Sequence, residues 1–199
     1  MFRINLPNSA DRERKYKYHM DDSQGIIHLT DCLAHYMTNR GNKQEIVAVC
    51  IGTDRSTGDC LGPLVGSRLK EISGPDLIVY GTLEFPVHAS NLHATMAELN
   101  TLYPNSFVLA IDACLGKLDS VGFISLSKGA LKPGAGVHKN LPLVGEVHLT
   151  GVVNVGGFME YLVLQNTRLN MVMKMAHEIS EVVINAHSIA TNIKHKGSL

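Results

Sequence analysis

Three short, uninterrupted apolar runs constrain this chain more than any other feature: Ile46 to Ile51 (IVAVCI), Leu77 to Tyr80 (LIVY) and Phe107 to Ile111 (FVLAI). Alternation is absent from all three, and β-branched residues are frequent. A strand with one wet face would alternate apolar and polar residues. A continuous run fits a strand covered on both faces, as in a parallel sheet. The segments between them, roughly 62–72 and 88–102, read as helices. Strand, helix, strand, helix, strand is the pattern of crossover βαβ units, so the expected fold is α/β: a twisted, mostly parallel sheet with helices on both faces.

The flanking regions are less regular. Residues 1–22 are polar, carry both charge signs and show no period, and are read as a mobile N-terminal arm, leaving 23–199 as a single domain. Ile26, Ile27, Leu29, Leu33, Tyr36 and Met37 recur at helical spacing, with Asp22 or Ser23 as cap and Gly41 at the end. Beyond Asp112, a strand is expected over Val121–Leu126. Ser127–Gly145 follows, rich in glycine and proline and carrying Lys128, Lys132, His138 and Lys139. A loop that long in a compact domain usually serves as a lid or binding loop. A last strand is expected near Glu146–Val153. One long closing helix is then expected, its face traced by Phe158, Leu162, Gln165, Leu169, Val172, Ala176, Ile179 and Val183.

Composition bounds the partners. The 199 residues hold 18 Lys+Arg and 18 Asp+Glu, a net charge of zero. Grip on nucleic acid through phosphate neutralisation needs a cationic surplus, so no nucleic-acid partner is expected. No apolar run approaches the roughly 18 residues of a membrane helix, so no membrane partner is expected. The first residues lack the apolar stretch of a secretory signal, which points to the cytosol. Cys32, Cys50, Cys60 and Cys114 form no CxxC pair and are read as reduced thiols. At this length roughly 70% of the unfolded surface can be buried, enough for a core without disulfides or a structural metal. Oligomeric state is not written in the sequence, and an isologous homo-dimer through exposed helix faces is the base-rate expectation.

Ligands of open α/β sheets bind beyond the carboxyl ends of the strands. Three acids lie there: Asp59 in GTDRSTGDCLGP after the first strand, Glu84 in YGTLE after the second, and Asp112 in AIDACLG ending the third. Two carboxyls that share a site repel when both are ionised, so one holds a proton and the pair offers a base and an acid at one pH. Each acid also has a plainer reading. Ser56-x-x-Asp59 has capping-box spacing, although Pro63 would then fall inside the helix. Asp112 has the plainer role of a turn former. The glycine-rich stretch 52–62 has the makings of a phosphate cradle, but it matches neither the Walker loop nor GxGxxG. Histidines 88, 93, 138 and 148 share no metal-ligand spacing and read as structural.

The strings CIGTDRSTGD (50–59), LGPLVG (61–66), YGTLEFPVHA (80–89), IDACLG (111–116), KPGAGV (132–137) and TGVVNVGGFMEYLVLQNTRL (150–169) closely resemble the YyaC-type spore proteases of endospore-forming bacteria. More distantly, the chain is similar to the germination protease that degrades small acid-soluble spore proteins, and to hydrogenase maturation endopeptidases. The resemblance implies a phosphorylase/hydrolase-like three-layer α/β/α sandwich. It also implies an aspartic-type dyad, Asp59 matching the DALGP aspartate of the germination protease and Asp112 the IDAL aspartate. Hydrogenase maturation enzymes hold nickel with two acids and a histidine. Here the histidine's place is assigned to Asn154, so neither a metal nor another cofactor is expected.

The resulting expectation is a sporulation-associated endopeptidase, by resemblance in the cytosol of a forespore or mother cell. Asp59 and Asp112 would share the acid–base work on a protein or peptide substrate. Glu84 would tune or orient them, and Asn154 would offer an amide to substrate. Lys132 and Lys139 would draw in an acidic protein. Two alternatives stay open: a non-catalytic peptide- or ligand-binding protein that keeps the fold, and a phosphate- or nucleoside-binding enzyme using Arg55 or Arg168.

Overall fold

The computed structural model describes residues 15–134 and 141–196. In chain order the elements are β1 (Lys15–His19), α1 (Ser23–Thr38), β2 (Ile46–Cys50), α2 (Leu61–Ile72), β3 (Leu77–Tyr80), α3 (Leu92–Leu102), β4 (Phe107–Gly116), a 3-10 turn (Leu118–Ser120), β5 (Phe123–Lys128), β6 (Val147–Val155), α4 (Glu160–Gln165) and α5 (Leu169–Lys196). They build one six-stranded sheet in the order β1-β5-β6-β4-β2-β3. Strands β3, β2, β4 and β6 run parallel, β5 is antiparallel to β6, and β1 is antiparallel to β5.

The lack of alternation in β2 has a direct cause. Ile46, Ala48 and Cys50 point into the core shared with α1, α2 and α5, while Val47 and Val49 point into a second core shared with α3. Every β2 residue is buried. The result is a three-layer α/β/α sandwich with unequal outer layers. On the lighter side Val144, fully buried, joins α3 in covering Val108 and Ala110. The long loop after β5 is tied at its base on this side: Leu131 and Val144 exchange backbone hydrogen bonds of 2.8 and 2.9 Å. Lys132 is exposed beside that tie, and Lys139 lies outside the described residues.

Two expectations are corrected. The arm read as mobile over residues 1–22 contributes the edge strand β1, with Tyr16 buried and paired opposite Leu126. KYKYH does alternate, but over too few residues to stand out. What fixes it is tertiary: Tyr18 donates or accepts at His28 Nδ1 (2.9 Å), and Asp22 caps α1 by accepting from Gly25 N at 3.0 Å. Lys174 of α5 also pairs with Asp21. Residues 1–14 lie outside the described residues.

The closing helix is two helices. Thr167 Oγ1 takes Val163 O (2.9 Å) while Thr167 N turns to Leu164 O (3.3 Å), so the helical bond from Thr167 N to Val163 O is lost and the helix ends. Only from Val172 onward does the expected face bury, through Ala176, Ile179 and Val183. Phe158 is 91% exposed.

Candidate active site

The order β4-β2-β3 contains a reversal. The chain leaves β2 outward through α2 to β3, then returns through α3 to β4 on the other side of β2. The carboxyl ends of β2 and β4 therefore flank the crevice where open α/β sheets bind ligands. Asp59 follows β2 and Asp112 lies in β4, so these two acids fall at the reversal itself.

Close backbone packing sets Asp59. After β2, Ile51 N donates to Ile111 O at 2.7 Å, carrying the ladder one residue further. Gly52 then turns with φ 146°, and a Cβ there would stand 1.9 Å from Asp59 O. The 53–59 loop folds back so that Thr53 N donates to Asp59 O at 3.2 Å. Gly62 brings the first turn of α2 onto β2, where a Cβ would meet Ile51 O at 2.1 Å. The glycines thus hold the loop, helix start and strand end in one tight unit. The capping-box reading fails: α2 starts at Leu61 with Cys60 as N-cap, and Ser56 Oγ is buried without a hydrogen-bond partner among the described residues.

Asp112 pairs in register with Thr150 of β6 and is 9% exposed. By strand parity it faces the α3 side, as Val108 and Ala110 do. Burial pushes its carboxyl well above the usual carboxylate range. The nearby charge of Asp59 adds to this, and a hydrogen bond from the Ala113 backbone opposes it. Asp59 is half-buried and also raised by burial, but a backbone hydrogen bond from Thr53 and the positive form of His88 pull it back. The pair is therefore unequal: Asp59 ionises first and Asp112 keeps its proton. Burial and the charge of Asp59 raise the Cys60 thiol, while burial chiefly raises Cys114, so neither is a ready thiolate nucleophile.

His88 is the residue that the sequence reading passed over. It follows Val87, which bridges to Ile51 and accepts from Gly52 N at 2.8 Å, so the 85–88 segment lies along the end of β2. Asn91 Oδ1 accepts from His88 N at 2.8 Å, and Ser90 N donates to His88 Nδ1 at 3.3 Å. In the neutral ring the proton therefore sits on Nε2. The signal available beforehand was the string YGTLEFPVHA, which carries His88 just after Glu84.

Of the other expected site residues, Glu84 and Asn154 stand on elements of their own, after β3 and near the end of β6. Glu84 is exposed and lines, with His88, Tyr80 and Glu98, a cavity of about 380 Å3 beside β3. Asn154 lies opposite Leu115, about 13 Å of strand beyond Thr150. Its Nδ2 donates to Val163 O and Thr167 Oγ1, both at 3.2 Å, and its Oδ1 accepts from Val155 N at 2.8 Å. That amide is occupied in holding α4, whose Leu164 O in turn accepts from Gly58 N at 2.8 Å, next to Asp59. Among the described residues no three His, Cys, Asp or Glu side chains group closely enough to hold a metal ion.

The sequence matches the family described as protein of unknown function DUF1256 over residues 17–182. The chain belongs to that family. The uncharacterized protein YyaC of Bacillus subtilis (strain 168) is 50% identical over 176 residues, covering 88% of this chain and 85% of YyaC. The fold of this chain is shared with a solved structure. The crystal structure of a NiFe hydrogenase maturation protease, HycI from Thermococcus kodakarensis KOD1, superposes with a TM-score of 0.52 at 18% identity. It covers 78% of this chain and 97% of HycI. No helix among the described residues is long and apolar enough to cross a membrane.

Proposed function

We propose that this protein is an endopeptidase of the germination-protease type that acts in sporulation and hydrolyses peptide bonds with Asp59 and Asp112. The observation that carries the reading is the unequal carboxyl pair at the reversal of the sheet: one acid holds its proton through burial and its neighbour's charge, and the other is free to ionise. Such a pair is suited to activating water against a carbonyl.

Asp59 carboxylate takes a proton from water while the water oxygen bonds to the scissile carbonyl carbon. Asp112 gives its proton to the carbonyl oxygen, producing a neutral gem-diol. Asp112 then removes a proton from one hydroxyl as the C–N bond breaks, and Asp59 delivers its proton to the leaving nitrogen. Both acids return to their starting states. The charge of His88, when it carries a second proton, favours the ionised form of Asp59. Asn154 positions α4 against the Asp59 loop, and Glu84 contacts substrate at the mouth of the β3 cavity. Lys132 and Lys139 attract an acidic chain, and small acid-soluble spore proteins in the forespore or mother-cell cytosol fit that description.

The test is incubation of the purified protein with a small acid-soluble spore protein, beside Asp59→Asn and Asp112→Asn. Either substitution should lower kcat/KM by about 10^3 or more, since it removes one member of the acid–base pair. Equal cleavage by all three would refute the dyad. No cleavage by the full chain or by a chain trimmed of residues 1–14 would refute the peptidase reading.

A further inference from the structure

The two edges of the sheet are unlike. The edge strand β1 carries exposed Lys15 and Lys17, the kind of charge that keeps a free edge from pairing with other chains. At the opposite edge, β3 reads Leu-Ile-Val-Tyr without a charge, with Ile78, Val79 and Tyr80 all part-exposed. Among the described residues β3 pairs with β2 alone, leaving its outer side open. Two cavities run along that side, of about 260 and about 380 Å3, and they share Lys70 and Val79. The groove begins at Ser73–Pro75 and ends at Phe85–His88. Its far end is the segment that bridges to the end of β2 beside Asp59.

We propose that the outer edge of β3 is the substrate-docking strand: an extended segment of the protein substrate adds to the sheet there and is led into the Asp59–Asp112 crevice. This rests on the peptidase reading and names how its substrate is held. Main-chain hydrogen bonds from the open edge supply sequence-tolerant affinity, and alternate side chains of the guest face the groove wall. Val79 and the 66%-exposed Phe85 present apolar contacts to it. Exposed Lys70, where the two cavities meet, complements an acidic residue of the guest. The occupant is therefore an extended strand with apolar residues at alternate positions and an acid opposite Lys70.

The experiment uses the full chain carrying Asp112→Asn, so that the probe stays uncut. The probe is acetylated Thr-Val-Glu-Val-Thr-Val amide. Two N-methylated forms accompany it, one blocked on each strand edge. The parent peptide should slow amide exchange in residues 77–81. One methylated form should bind as well as the parent, and the other should lose at least about tenfold in affinity, the equivalent of one or two main-chain hydrogen bonds. Equal binding of all three peptides would overturn the proposal. So would absence of binding at about 1 mM, protection confined to Phe158–Leu162, or prior protection of 77–81 by a second copy of the chain. Edge pairing with no hydrolysis by the unsubstituted protein would instead overturn the peptidase reading alone. Hydrolysis without edge pairing would overturn only the docking strand.

Discussion

Replacing Asp112 by asparagine should make the protein more stable, and the gain should grow with pH. In the folded chain Asp112 is 9% exposed, faces the charge of Asp59, and is held well above its ordinary range. Below the unfolded value of about 3.9 both states carry the proton and the residue contributes nothing. As pH rises past that point the unfolded chain releases its proton while the folded chain keeps it, so the folded state binds more protons and stability falls. Each pH unit over which this holds costs about 1.4 kcal/mol. The loss stops once pH passes the folded-state value. Asparagine has the same shape, can still accept from Ala113 N, and removes the titration. Thermal unfolding followed by circular dichroism should then show the variant level with the unsubstituted protein near pH 4 and pulling ahead as pH rises, by about 3–5 °C for each pH unit over which the folded carboxyl keeps its proton, taking about 2–4 °C per kcal/mol for a chain of this length. A variant that is less stable at every pH would show Asp112 to be a structural acceptor. A gap that ignores pH would refute the raised carboxyl.

Other outcomes follow from the same geometry. His88→Ala removes the charge that pulls Asp59 down, so the acidic limb of the pH–kcat/KM profile should move to higher pH; an unmoved limb would separate His88 from Asp59. Asn154→Ala strips partners from Val163 O, Thr167 Oγ1 and Val155 N and should lower stability by about 1–3 kcal/mol, read as a urea midpoint shift. Unchanged stability would deny its role in holding α4. Gly62→Ala places a Cβ 2.1 Å from a backbone oxygen that cannot swing away, and should cost about 3 kcal/mol or leave the chain unfolded. A folded, equally stable Gly62→Ala protein would contradict the packing of α2 on β2.

The parallel core was legible because its strands are buried on both faces, and that leaves continuous apolar runs that need no partner to be recognised. Residues 77–80 form a strand over the whole of their apolar run, and β2 ends at Cys50, one residue short of its run. Strand β4 ran on to Gly116, well past its apolar stretch, because β6 offers a partner as far as Val155. The short edge strand β1 was illegible for the opposite reason: five residues of alternating lysine and tyrosine become a strand only when β5 lies beside them. The break before α5 was hidden too, since threonine is tolerated in helices until, as at Thr167, its side chain takes the i−4 carbonyl and its N–H turns to another.

Asp59 and Asp112 were visible as strand-end acids because the ends of apolar runs can be counted. Their inequality was not visible. It comes from how deeply each carboxyl is buried and from the charge each one faces, and these depend on residues far away in sequence. His88 came to Asp59 only through the bridge of Val87 to Ile51, and Asn154 was drawn away from the pair by α4. Local chemistry written in the sequence thus determined the α/β class, the parallel core and the positions of two acids. Tertiary packing decided which carboxyl keeps its proton, which histidine stands beside the other, and which sheet edge is left open, because desolvation and pairing arise only between segments that the fold brings together.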